Sequence, residues 1–394
     1  MKKQKIKICA LTANRADFSR IETILQAVNK HPKLELQLVV MGSHLLDKTG
    51  RTIEEVKRKG FKVDYAIQME VEGGNPVSMA KSVGLGMVEL ATILNHLRPD
   101  VVIAPVDRFE SLAMGATPAL MNIHVAHIQG GEVTGTIDES IRHALTKLSH
   151  LHFAATRKSC ERIIKMGEPE ETVFNVGCPG TDLLLQTKKL TGKQTLQKLN
   201  ADLIKVRKGN EELDVNKPFL LMVQHPVTTE FGGASDQMTA TMEALQKFDH
   251  QVVVLWPNID AGSDDISKIL RKYTTNKDHG AKLKIFKHIP TEIFVNLLRH
   301  ATAMVGNSSS GIREACYFGT PVVNVGSRQS ARERGSNVTD VGYDRIKIAD
   351  AIKKQIDHGK YPIEMIYGDG TAGEQIANIL ATVKLPDIQK KITY

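Results

Sequence analysis

The sequence predicts an α/β protein made of two doubly wound parallel-sheet domains, and three observations carry that expectation. Short apolar, β-branched runs alternate with segments of helical periodicity along the chain, the pattern of a parallel sheet covered on both faces. The rhythm fades into a polar segment near residue 200 and then restarts, and 394 residues exceed what one hydrophobic core usually serves. Polar residues and glycines gather directly after the strands, at the edge where open α/β sheets bind ligands.

In the first half, strands are expected at 5–11, 34–40, 62–69, 101–104, 125–128, 152–155 and 173–176. Residues 12–19 read as a polar turn opening a helix from about Arg20, and the absence of GxGxxG there disfavours a nicotinamide site. Further helices are expected at 77–97, 111–121, 138–148 and 156–167. Lys, Gln, Glu and Asn crowd 186–217, marking a domain junction. Five more strands are expected at 219–223, 252–255, 283–286, 303–305 and 322–325. The expected domains are thus 1–187 and 218–371, joined by 188–217. Two such domains face to face leave a cleft suited to a ligand.

The net charge of +8 comes without a basic run interleaved with aromatics, so nucleic acid is not an expected partner. A pocket for an anionic small molecule fits the charge better. Four cysteines at 9, 160, 178 and 316 form no CxxC pair, which suits a reduced, cytoplasmic protein and argues against a zinc ribbon. No apolar run is read as reaching the ~20 residues that span a bilayer, and the start lacks a signal-peptide core. No HExxH or paired-histidine spacing asks for a metal.

Chemistry-bearing residues concentrate between Asp107 and His143. Asp107, Glu132 and Asp138 are the acid/base candidates, with Arg108 and Arg142 able to hold a neighbouring carboxylate ionised. Asp107 and Asp138 equally suit helix caps. In the second half, Gly306-Asn307-Ser308-Ser309-Ser310-Gly311 resembles a phosphate cradle, in which small residues let backbone amides approach an anion. Arg313, Arg328, Arg332 and Arg334 follow at neighbouring strand ends, and Glu314 is placed to accept from ribose hydroxyls. His225, in Gln224-His225-Pro226, can carry a proton near neutral pH or donate to a leaving phosphate. His44, His127, His143 and His288 occupy similar positions, and at least two of them are expected to be structural. Arg15, in the first βα turn, suits a phosphate.

Taken in order, these motifs resemble a known family. Asn14-Arg15-Ala16-Asp17, Gly42-Ser43-His44, Asp107-Arg108-Phe109, residues 130–150 (GGEVTGTIDESIRHALTKLSH), Gln224-His225-Pro226, Gly306-Asn307-Ser308-Ser309 and Tyr367-Gly368-Asp369-Gly370 are similar to the hydrolysing UDP-N-acetylglucosamine 2-epimerases of sialic-acid pathways. The resemblance implies a GT-B fold with the active site in the interdomain cleft and a C-terminal helix, within 372–394, packing back on the first domain. It implies a reaction without metal or cofactor. A base removes the sugar's C2 proton, UDP leaves from C1 to give 2-acetamidoglucal, and water then adds with inversion at C2, releasing N-acetylmannosamine. Asp107 and Asp138 match the acid/base aspartates, while Arg15, Arg108, His225, Ser308, Ser309 and Arg328 match the diphosphate side. Glu314 matches a ribose contact, and His288 lies near the uracil position. His44, Arg142, Asn307 and Gly311 complete the expected substrate contacts. The implied partners are UDP-N-acetylglucosamine and UDP, with a homodimer or homotetramer as the assembly and no membrane.

Two departures stand out. Val106 replaces the glycine that usually precedes the catalytic aspartate, removing backbone freedom. Gln129 stands where the family carries a catalytic glutamate, and an amide cannot take a proton at neutral pH. Either Glu132 or Asp138 covers the role, or activity is reduced, or the residue is a deliberate change that traps a ligand. The competing expectations are a non-hydrolysing epimerase, a hydrolysing epimerase for a 2,4-diacetamido sugar, a GT-B glycosyltransferase, and a UDP-sugar-binding protein with impaired catalysis.

Overall fold

The computed structural model describes residues 5–393 apart from 48–49, 73–75, 106–107, 135–136, 207–211, 231, 258–261, 275–282 and 288. The first of its two units comprises Met1–Val133, Ile137–Gln186 and Tyr367–Tyr394; the second comprises Thr134–Thr136 and Thr187–Ile366.

Seven parallel strands form the first sheet: β1 Ile6–Thr12, β2 Leu34–Met41, β3 Tyr65–Ile67, β4 Val101–Pro105, β5 His124–Ile128, β6 Leu151–Ala154 and β7 Val173–Asn175. Their order is β3-β2-β1-β4-β5-β6-β7, so the winding reverses between β1 and β4. That reversal is the switch point at which open sheets offer a crevice. The covering helices are α1 Arg15–Lys30, α2 Ile53–Arg58, α3 Pro76–Leu97, α4 Phe109–Leu120, α5 Ile137–Leu148, α6 Arg157–Lys165 and α7 Pro179–Gln186. Successive residues of β1 serve opposite faces, as the pleat requires. Ile8 and Ala10 pack in the core with Phe18, Ile21, Ile24, Leu25 and Val28 of α1, while Cys9 and Leu11 pack with Leu90 and Leu94 of α3.

Three local features differ from the expectation. Helix α1 begins at Arg15 rather than near Arg20, because Asn14 caps it: its Oδ1 accepts from the Asp17 amide at 2.9 Å and its Nδ2 donates to Asp17 Oδ2 at 2.7 Å. Strand β3 is only three residues long, an edge strand with Tyr65 exposed. The stretch Val77–Leu97 of α3, with a mean hydropathy of 1.4, is long and apolar enough to cross a membrane, contrary to the reading that no run reaches that length. Here it is the crossover helix between β3 and β4, one-third buried.

The second unit carries β8 Phe219–Val223, β9 Gln251–Leu255, β10 Leu283–Phe286, β11 Ala303–Gly306, β12 Val322–Val325 and β13 Val338–Val341. Its order is β10-β9-β8-β11-β12-β13, reversing between β8 and β11. Its helices are α8 Gly192–Val206, α9 Ala234–Leu245, α10 Ser263–Thr274, α11 Thr291–His300, α12 Ser309–Arg313 and α13 Arg345–His358. Strand β13 is absent from the expectation: it is an edge strand whose residues are only partly buried, so its apolar signal is diluted. The stretch expected as a junction carries α8, whose Leu196 and Leu199 are buried with Phe219 and Leu221. Its polar composition is the solvated face of a packed helix.

The chain returns to the first unit with α14, Ala372–Leu380, which lays Ile376, Ala377 and Leu380 into the α1 core. Asp182 caps it by accepting from the Ala372 and Gly373 amides at 3.1 and 2.7 Å, and Thr23 Oγ1 donates to the same carboxylate at 3.0 Å. Beyond α14, His124 Nε2 donates to the Pro386 carbonyl and His150 Nε2 to that of Ile388, at 2.8 and 3.0 Å. Lys390 reaches buried Glu168 at 2.6 Å, a carboxylate that also meets Lys147 and His152.

Candidate functional site

Within the first unit, Asp107 lies outside the described residues, as does its neighbour Val106. Arg108 is the N-cap residue of α4 and is half-exposed, its Nε 3.4 Å from the buried carboxylate of Glu110. Asp138 is the second residue of α5 and half-buried, in the first turn where the helix dipole favours a carboxylate. Glu132 is buried, and its carbonyl accepts from Arg142 Nη1 at 2.8 Å. Arg142 is 1% exposed. From inside, it braces the loop that carries Glu132.

Gln129 follows β5 with a φ of +63°, a left-handed conformation unusual for a residue with a side chain. Its amide N–H donates to the Phe153 carbonyl at 2.8 Å. Its Nε2 donates to Cys178 Sγ at 2.8 Å, and its Oε1 accepts from Arg20 Nη1 at 3.3 Å. The side chain is buried and clamped from both ends. Gly131 makes the turn possible: a Cβ there would lie 2.2 Å from the Ser159 carbonyl oxygen.

His44 is fully buried, and its ring nitrogens meet Thr12 Oγ1 at 2.9 Å and Thr52 Oγ1 at 2.7 Å. Burial pushes its pKa down to about 4, against a smaller upward pull from the Asn14 backbone, so it is neutral at pH 7. It joins two strand ends and is not a ligand-facing group as expected. His127 is likewise buried, 3.4 Å from Thr146 Oγ1, and His143 sits 3.5 Å from Glu139 on α5. Arg15 opens α1 with its Nε 3.7 Å from Glu55, partly exposed.

At the second switch point Asn307 is the hub. Its Oδ1 accepts from the His225 amide at 2.7 Å and its Nδ2 donates to the His225 carbonyl at 2.8 Å, tying the end of β8 to the end of β11. Its own carbonyl accepts from Arg328 Nη1 at 3.2 Å and Gln329 Nε2 at 3.0 Å. Gly306, at φ +128°, permits this closeness, since a Cβ would fall 2.1 Å from the Val223 oxygen. Burial first, and then Arg328, hold His225 down at about 3. It therefore stands as neutral imidazole at pH 7, not the near-neutral proton carrier expected. A neutral ring still donates one N–H, and an anion bound beside it would restore part of its basicity.

Ser308 caps α12 by accepting from the Ser310 amide at 3.3 Å; Ser309 is half-buried and Gly311 buried. Helix α12 ends at Arg313, so Glu314 lies at its C-cap, half-buried, rather than further along a longer helix. Arg334 pairs with Asp340 of β13, and Arg332 Nη1 donates to Gln329 Oε1 at 3.2 Å. His288 lies outside the described residues. The sequence reading missed Arg20, Cys178 and Gln329: the first two reach Gln129 only through the fold, whereas Gln329 adjoins Arg328. Among the described residues, no group of three or more His, Cys, Asp or Glu is arranged to hold a metal ion.

Two parallel-sheet units of seven and six strands, each with polar side chains at the carboxyl ends of its switch-point strands, define a protein of the GT-B fold. Residues 26–381 match the family model for UDP-N-acetylglucosamine 2-epimerase, and the chain belongs to that family. It is 35% identical to the UDP-N,N'-diacetylbacillosamine 2-epimerase (hydrolyzing) of Legionella pneumophila, over 96% of both chains. It is 33% identical to a UDP-N-acetylglucosamine 2-epimerase of Neisseria meningitidis serogroup B, over 95% of this chain and 94% of the other. A solved structure of UDP-GlcNAc 2-epimerase from Neisseria meningitidis, bound to UDP-GlcNAc, superposes with a TM-score of 0.77 at 19% identity, covering 95% and 99% of the two chains. The Methanocaldococcus jannaschii enzyme in complex with UDP-GlcNAc and UDP gives the same TM-score at 18% identity, covering 95% and 99%.

Proposed function

We propose that this chain is a hydrolysing UDP-N-acetylglucosamine 2-epimerase, converting its substrate to N-acetylmannosamine and UDP. The observation that supports the hydrolysing assignment is the 35% identity, across nearly the full length of both chains, to a relative whose name states a hydrolysing 2-epimerisation, of a different UDP-sugar. In the second unit, His225 and Arg328, both bonded to Asn307, offer N–H donors that suit a diphosphate. Glu314 remains the candidate for the ribose hydroxyls.

In the first unit the reacting carboxylates are Asp107 and Asp138, with Glu132 as the third. One removes the proton from C2 as the C1–O bond breaks, and the electron pair leaves with UDP; the ring keeps a C1–C2 double bond. Water oxygen then bonds to C1 and a proton returns to C2 on the opposite face. No step transfers hydride, so the sequence of bonds balances without a redox cofactor. Gln129 donates and accepts hydrogen bonds but takes no proton, which leaves the proton transfers to the carboxylates. The four cysteines are all free, consistent with a reducing cytoplasm.

A second reading changes only the sugar: the Legionella relative's name points to a 2,4-diacetamido-6-deoxy substrate. Incubation with each UDP-sugar in D2O, followed by proton NMR and mass spectrometry, separates the cases. Free N-acetylmannosamine with deuterium at C2, together with UDP, is expected. UDP-N-acetylmannosamine would assign the non-hydrolysing reaction, turnover of the diacetamido sugar alone would move the substrate, and no product from either would overturn the enzymatic reading.

A further inference from the structure

The two donors that suit an anion in the second unit sit on separate loops, His225 after β8 and Arg328 after β12. Burial, and after it the charge of Arg328, lower the His225 pKa, so the guanidinium and the ring are neighbours. Buried Asn307 ties the two loops together through its bonds to both residues. A second tie lies nearer the surface, at half-buried Glu230, which closes the short turn Thr228–Glu230 just beyond His225. The Glu230 amide donates to the Val227 carbonyl at 2.9 Å, so this turn is anchored to the segment that leaves β8.

Three donors converge on the Glu230 carboxylate. Ser327 Oγ donates to Oε1, while Tyr343 Oη and Gln237 Nε2 donate to Oε2 at 2.6 and 2.7 Å. They come from the β12 loop, from the chain just past β13 and from α9, and Ser327 directly precedes Arg328. A carboxylate suits this meeting point because it only accepts, with about four lone-pair sites to offer. An amide would turn one N–H against the incoming donors. Partial burial pushes the Glu230 pKa up, but the bonds from Ser327, Tyr343 and Gln237 outweigh that push, so the group is ionised at pH 7. Gly326, at φ +83°, admits the phenol: a Cβ there would lie 2.2 Å from Tyr343 Oη.

We propose that Glu230 is a positioning residue for anion binding, which through Ser327 holds the loop carrying Arg328 in place beside the loop carrying His225. The proposal rests on the diphosphate reading of this site and deepens it, since Glu230 acts without touching the ligand. A glutamate that merely braced the domain would need only Tyr343 and Gln237. Ser327 is exposed and puts no side chain into the core, so a bond to it steadies the loop rather than the fold. Without that bond Arg328 has to be ordered at the moment of binding, and ordering a long side chain costs affinity.

Isothermal titration calorimetry of UDP with the full chain tests this. Ser327→Ala and Glu230→Gln should each raise the Kd about three- to tenfold, roughly the cost of one newly immobilised side chain. Circular dichroism and the thermal midpoint of Ser327→Ala should match the wild type, because the residue is exposed. Ser327→Thr keeps the hydroxyl and should bind UDP as the wild type does. In an Arg328→Ala background, Glu230→Gln should weaken UDP no further, since the group it positions is gone. Wild-type affinity in Ser327→Ala would overturn the proposal, as would a Ser327→Thr variant as weak as Ser327→Ala. So would a Glu230→Gln effect of equal size with and without Arg328. A wild type that binds no UDP would instead sink the diphosphate reading itself, and the proposal with it.

Discussion

Replacing Gln129 by glutamate tests whether the amide limits proton transfer. The two side chains are nearly isosteric, so the left-handed backbone at φ +63° is unaffected and the change is electrostatic. A carboxylate there is 1% exposed and 3.3 Å from Arg20 Nη1. At an effective dielectric of about 20, that separation gives an attraction of about 5 kcal/mol, comparable to the several kcal/mol that burying the ion costs. The terms nearly cancel, and the Cys178 thiol, which now accepts from Nε2 at 2.8 Å, can turn its S–H toward the new oxygen. The variant should therefore fold with a thermal midpoint within a few degrees of wild type. It gains a group able to exchange a proton, and positioned acid–base groups contribute roughly 10²–10⁴-fold, so UDP release should rise at least about tenfold. The assay is a coupled measurement of UDP at saturating substrate, with denaturation midpoints as the control. An unchanged or lower rate in a folded variant would refute the reasoning and leave proton transfer wholly with Asp107, Glu132 and Asp138.

Three further outcomes are expected. Asn307→Ala strips the His225 amide and carbonyl of their partners; at about 1–3 kcal/mol per unsatisfied buried group, equilibrium unfolding should show a loss of about 2–6 kcal/mol, and calorimetry weaker UDP binding. His44, held at about 4 by burial, binds fewer protons folded than unfolded, so its share of stability is present above pH 6.5 and lost as the pH falls toward 4. That share is about 3 kcal/mol, and His44→Gln should flatten the urea-denaturation profile between pH 7 and 4 accordingly. Glu168→Gln leaves Lys147, Lys390 and His152 converging on a neutral amide, and should cost about 3–5 kcal/mol and expose the tail beyond α14 to limited proteolysis.

The strands were legible because a strand buried on both faces in a parallel sheet reads as a continuous apolar run. Where that condition fails the signal fails too, as at the half-buried edge strand β13. The start of α1 was hidden because Asn14 looks like part of a polar turn until its bonds to Asp17 are seen. For the site, residue type proved a weaker guide than burial. His44 and Arg142 carry the functional groups a ligand would use, yet both are enclosed, and a buried ring or guanidinium must spend its donors on the protein itself. Gln129 was singled out by its position, but its clamp was not visible, because Cys178 and Arg20 lie 49 and 109 residues away in sequence. His225 is legible as a strand-end residue, whereas its protonation state depends first on its burial and then on Arg328, which follows another strand.

The two sheets share a winding reversal but use it differently. At the first, between β1 and β4, the described polar groups largely satisfy one another: His44 with Thr12 and Thr52, and Asn14 with Asp17. Such groups are already paired and gain little from a ligand. At the second, between β8 and β11, Asn307 spends its side chain on the His225 backbone and its carbonyl on Arg328 and Gln329, which fixes those residues in place. A donor held in place by its backbone is pre-organised, so binding an anion there loses little side-chain entropy. That fixed frame is what supports the proposal that the second unit contacts a diphosphate.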